Sequence, residues 1–170
     1  MMLDDNGDIW ARWRTHFLNS PFESIQQKAD KIIRDGIISK SSIAYFGTTP
    51  RVVFALKECN NPPVKYNYDI CSYLRNLKLH GAIALNIARW NCAIRLSERS
   101  IPDLNKDRNA LLEALLSSAI VNLKKTAGGS VANMSRINLY AFHDRELLRE
   151  QFQSLKPDVI VSCGTIDQLL

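Results

Sequence analysis

The sequence predicts a three-layer α/β/α domain built around a short parallel sheet. Three observations predict it. Short apolar, β-prone runs occur at residues 51–56 (RVVFAL), 119–121 (AIV, then Asn122) and 158–163 (DVIVSC). Such runs are expected of strands covered on both faces. Segments with a helical apolar period separate them, and strands alternating with helices give parallel sheets with right-handed crossovers. Each run is followed by a polar stretch, and in such sheets ligands sit beyond the carboxyl ends of the strands.

In chain order, residues 8–18 place Trp10, Trp13 and Phe17 at helical spacing. Residues 22–35 continue an amphipathic pattern that Gly36 should end. The division expected is a helical part at 1–48 and an α/β core at 50–170, within one domain. After the first strand, residues 69–79 and 82–96 read as helices, the second carrying Ile83, Ile87, Trp90 and Ile94 at three- and four-residue steps. Residues 111–116 are helical before the period changes to the second strand, and 137–155 form one long amphipathic segment stopped by Lys156-Pro157. A helix should begin again at 166–170, while Pro62-Pro63, Gly128-Gly129 and 100–107 punctuate the chain as loops.

Composition narrows the function classes. Of the 170 residues, 46% are hydrophobic and 23% charged, as in ordinary globular domains. No apolar run is long enough for a membrane span, and the acidic N-terminus (Asp4, Asp5, Asp8) does not resemble a secretory signal, so no membrane partner and a cytoplasmic location are expected. Cys59, Cys71, Cys92 and Cys163 are scattered without zinc-site spacing and read as reduced thiols. A formal net charge of +5 favours a polyanionic partner. No glycine-rich dinucleotide or P-loop motif follows any strand.

Order and spacing over residues 50–170 carry a more specific signal. AIVNLKKTAGGSV, a helix, then LLREQFQSLKPDVIVSCGT resembles the central stretch of microbial uracil-DNA glycosylases; RVVFALKECNNPP with YDICSYLR resembles an uncharacterised bacterial branch of that superfamily. The resemblance implies a uracil-DNA glycosylase-like fold directed at DNA rather than RNA, with a role such as DNA repair and, if active, a hydrolase that breaks N-glycosidic bonds. It implies Asn122 as the reader of a flipped base, since its amide both donates and accepts. Glu58, then Asn60, are the candidate catalytic residues near the reacting sugar, with Asn61 in the same loop. Lys57, Lys124 and Lys125, the turn at Gly128 and Ser130, and Thr165 are the candidate nucleic-acid contacts. Thr126 and Tyr140-Ala141-Phe142 stand where the iron–sulfur branch has cysteines, so no cluster or other cofactor is expected.

Departures shape the alternatives. Asn60-Asn61-Pro62-Pro63 replaces the loops of the well-studied members. The sequence ends at Leu170, before the fourth strand and His-Pro-Ser-like loop of the superfamily, so an incomplete C-terminus is expected. His16, His80 and His143 read as helix-face residues. Two other functions stay open: a non-catalytic nucleic-acid-binding or assembly module on the same scaffold, and an enzyme acting on a nucleotide or nucleoside. With no fourth strand, the apolar 158–163 edge (Val159, Ile160, Val161) should be paired with another chain, a homodimer being simplest, or shielded by the helices around Trp10 and Trp13.

Overall fold

The computed structural model describes residues 6–60, 68–96 and 106–169. Four strands form the main sheet: β1 (Gly36–Ile37), β2 (Val52–Leu56), β4 (Ser118–Asn122) and β6 (Val159–Ser162), in the order β1-β4-β2-β6. β2 runs parallel to both β4 and β6, with Phe54 opposite Ile120 and Val161. β1 is antiparallel to β4. A second, two-stranded parallel sheet pairs β3 (Cys59–Asn60) with β5 (Ala127–Gly128).

Alternation along the strands distributes side chains to two apolar cores. Val52, Phe54 and Ile120 pack with α4 (Ile70–Leu77), α5 (Ala82–Arg95) and α6 (Arg108–Leu116). Val53, Ala119 and Val121 face the opposite way, onto α1 (Asn6–Leu18), α2 (Glu23–Gln26), α7 (Met134–His143) and α8 (Arg145–Leu155). This is the period-two pattern of a sheet covered on both sides. Local chemistry sets the helix starts: Asp69 accepts from the Cys71 and Ser72 amides at 2.8 and 3.1 Å, and Asn133 accepts from the Arg136 amide at 3.1 Å. A last short helix, α9 (Ile166–Leu169), follows β6.

Three sequence expectations are corrected. Residues 22–35 do not form one helix: after α2 and a 3-10 turn (Ala29–Lys31), the chain extends so that Gly36 and Ile37 join the sheet and Asp35 turns inward. The N-terminal part is therefore not purely helical, because it supplies a strand. The 137–155 segment is two helices broken at Asp144, whose carboxylate is held by two histidines. Gly128 was expected in a loop but lies in β5. The loop expected at Pro62-Pro63 and most of that at 100–107 lie outside the described residues.

At the sheet edge, β6 pairs with β2 alone among the described residues, and Ile160 is 45% exposed. Trp10 and Trp13 are buried in the core on one face, so the helices around them do not shield this edge. The start of β6 is fixed by Arg51, whose backbone amide and guanidinium donate to both oxygens of Asp158 at 2.8 to 3.0 Å. That hydrogen bonding pulls the Asp158 carboxyl down to about 2. A carboxyl depressed in the folded state contributes stability above its unfolded pKa and loses it as pH falls through the folded value. The contribution of this pair should thus vanish between pH about 4 and about 2. In Arg51→Ala, a carbon-detected NMR titration should find Asp158 raised from about 2 toward the ordinary 3.8, short of it because the backbone amide of residue 51 still donates; a midpoint still near 2 would contradict the assignment to the guanidinium.

Candidate functional site

The segments following β2 and β4 meet at the carboxyl end of the sheet. The ladder continues past the strands, with the Leu123 and Lys124 amides donating to the Leu56 and Lys57 carbonyls at 2.8 and 3.0 Å. The β3–β5 pair then places Cys59 opposite Ala127 and Asn60 opposite Gly128. Glu58 and Asn122, 64 positions apart in the numbering, therefore sit at one end of the sheet, Asn122 opposite Leu56.

Two buried ion pairs occupy this end. Lys124 Nζ is bonded to Glu58 Oε2 and donates to the Thr126 and Ala127 carbonyls at 3.2 and 2.8 Å, with both charged side chains nearly inaccessible. Gly128 makes room for the pair, because a Cβ there would fall 2.1 Å from the Glu58 carboxyl carbon. Beneath it, Lys125 Nζ donates to both oxygens of Asp35 at 2.8 Å, and neither side chain is exposed. Asp35 also accepts from the Asn122 amide and side-chain nitrogen at 2.7 and 3.1 Å and from Gln151 Nε2 at 2.7 Å. The Lys125 ammonium lies 5.3 Å from the Trp13 ring centroid and 5.9 Å from that of Trp10. Burial lowers the Lys125 pKa, and the Asp35 charge opposes that shift.

These placements revise the residue roles expected from sequence. Lys124 and Lys125 are interior and do not face phosphates. The Asn122 side-chain nitrogen is engaged by Asp35, and the residue is buried. Thr165 is buried too: its hydroxyl donates to the Ala55 carbonyl at 3.0 Å and lies 3.1 Å from Ser162 Oγ, closing the turn after β6. Asn60 and Ser130 are exposed and Gly128 half-buried at the mouth, while Asn61 lies outside the described residues.

Lys57, expected at phosphates, is half-buried, and other accessible cations are ones the sequence reading did not single out. Lys28 is half-buried, with Lys31 and Arg136 exposed. The Lys28 and Lys124 ammonium groups stand 5.8 and 5.7 Å from the Tyr140 ring centroid. Burial lowers the Lys28 pKa, and the neighbouring charges of Lys124, Arg136 and Lys31 lower it further, against Glu58. No family model, curated protein or solved structure matches this chain. Its chemistry is therefore read from its own residues.

A second polar constellation lies on the α1/α7 side. His16 and His143, expected as separate helix-face residues, meet over Asp144. His16 Nε2 is 2.9 Å and His143 Nδ1 2.5 Å from Asp144 Oδ1, and the two nitrogens are 3.1 Å apart. Ser20 Oγ lies 2.9 Å from His143 Nε2. Burial pushes the Asp144 carboxyl up to about 7, opposed by the His16 hydrogen bond, and burial lowers His143. Sequence reading could not find this group, since His16 and Asp144 are joined only by the packing of α1 on the α7–α8 junction.

Proposed function

We propose that this chain binds DNA and recognises a base at the carboxyl end of β2 and β4, on a uracil-DNA glycosylase-like scaffold, without breaking the glycosidic bond. The observation that carries the reading is the group of like charges Lys28, Lys31 and Arg136 beside the Glu58–Lys124 pair. Like charges gathered at a half-buried position cost free energy in the isolated protein. A polyanion removes that cost and releases counterions. Asn60 and Ser130, exposed at the same mouth, offer neutral donors and acceptors to a base or sugar. Against bond cleavage stands Glu58, whose carboxylate is taken up by Lys124 and largely shut off from water. A hydrolytic version of the reading rests on the position of Glu58 directly after β2, and requires that ion pair to open.

The test is a titration of labelled single- and double-stranded DNA at several salt concentrations. If the three cations meet phosphates, log affinity should fall with log salt with a slope of about −2 to −3. Lys28→Ala/Lys31→Ala/Arg136→Ala should remove most of that slope and weaken all sequences alike. Absence of salt-dependent binding by the wild type, or an unchanged slope in the triple variant, would overturn the proposal. Strands containing uracil or hypoxanthine should remain intact, and base release would replace the binding-only reading with the hydrolytic one.

A further inference from the structure

His16 Nε2, His143 Nδ1 and Asp144 Oδ1 form a triangle of three potential ligand atoms. Its edges are 3.1, 2.9 and 2.5 Å, and each corner is an atom carrying a lone pair. Three atoms in a nearly equilateral arrangement cannot share protons along all three edges with good angles, because a hydrogen bond weakens steeply below about 120°. If both nitrogens carry protons toward the carboxylate, the two N–H groups oppose each other across the 3.1 Å edge. If one nitrogen is bare, its lone pair faces the carboxyl oxygen at 2.5 or 2.9 Å, and only a proton held on Asp144 Oδ1 can stand between them.

We propose that these three atoms are ligands for a divalent transition-metal ion, Zn²⁺ first. Two imidazole nitrogens and one carboxylate oxygen form a set suited to such an ion and poorly suited to Ca²⁺ or Mg²⁺, which take oxygen ligands. Metal–ligand bonds of about 2.0–2.2 Å at tetrahedral angles separate neighbouring ligand atoms by roughly 3.3 Å. The observed triangle is slightly tighter, so an ion needs its corners to spread by less than about 1 Å, the scale of small side-chain rotations.

Two further observations point to a ligand. Asp144 Oδ2 is buried with no hydrogen-bond partner among the described residues, and the Asp144 side chain is fully inaccessible, leaving a carboxylate half-used inside the protein. Such an orphaned polar atom calls for an ion or water. His143 is also oriented from behind: its Nε2 meets Ser20 Oγ, the arrangement in which a metal-bound histidine uses its second nitrogen to fix tautomer and ring plane. His16 is 32% exposed on its side chain, which leaves one side of the triangle open to solvent for a fourth ligand such as water. Since His16 belongs to α1 and the other two residues to the α7–α8 junction, the ion would also clamp α1 to that junction.

The experiment is a metal titration of the full chain after removal of metals with a chelator. Zn²⁺ should bind in a single equivalent in competition with a chromogenic chelator, and Co²⁺ should give visible d–d bands of a site with nitrogen and oxygen ligands. His16→Gln, at a partly exposed position, should keep the circular dichroism of the wild type and lose the stoichiometric site. Ser20→Ala should retain the site with affinity lowered about 10–100-fold. Absence of stoichiometric uptake of Zn²⁺ or Co²⁺ by the wild type would overturn the proposal. So would unchanged uptake by folded His16→Gln.

Discussion

Lys125→Met should destabilise the protein by about 3–5 kcal/mol, because it leaves the Asp35 charge buried without its cation. Asp35 accepts from Lys125, Asn122 and Gln151, which belong to separate elements, so the loss would be felt across the sheet and α8. Asn122 and Gln151 would still donate to the carboxylate, but their three neutral N–H donors cannot replace an ammonium that spans both oxygens. Asp35→Leu alone should cost a similar amount, since it strands the ammonium between Trp10 and Trp13. The decisive measurement is urea unfolding of both single variants and of Asp35→Leu/Lys125→Met. Replacing a whole buried pair by apolar groups is often close to neutral, so the double variant should be more stable than either single one. Additive losses would show that the two residues act separately.

The same cluster marks where sequence reading succeeded and where it stopped. Apolar β-prone runs located β2, β4 and β6 within a residue or two, because a strand buried on both faces has little freedom of composition. The end of β4 was legible for the same reason: Asn122 breaks an apolar run. What Lys124 and Lys125 do was not legible, since a lysine pair after a strand ordinarily reads as surface charge. Their partners lie 66 and 90 positions away, at Glu58 and Asp35. A usable signal was present in IIRDGII: an acidic residue between two apolar Ile-Ile runs needs a buried partner or exposure, and here Asp35 has the former. β1 was missed because two residues carry no periodicity to detect; antiparallel pairing with Ile120 and Ala119 makes Gly36 and Ile37 a strand.

Trp13→Ala should cost about 3–5 kcal/mol, the range for removing a large buried aromatic side chain. Three contacts place it at the top of the molecule's apolar residues. Trp13 is fully buried in the core that joins α1 to Val53, Ala119 and Val121. Its ring meets Phe17 and His16 edge-on, with centroids 6.0 and 6.3 Å apart. It also faces the Lys125 ammonium, so the variant loses apolar contact and a cation–π interaction worth about 0.5–2 kcal/mol. For a domain of this length, about 4 kcal/mol corresponds to a fall in melting temperature of roughly 10 °C. Trp13→Phe should recover part of the loss by restoring an aromatic face. It removes no hydrogen bond seen among the described residues, where the indole Nε1 of Trp13 has no partner. Combining Trp13→Leu with Lys125→Met separates the two contributions: if the lysine is held by the indole face, the double variant should lose less than the sum of the singles. Strict additivity, with both singles folded, would assign Trp13 to packing alone.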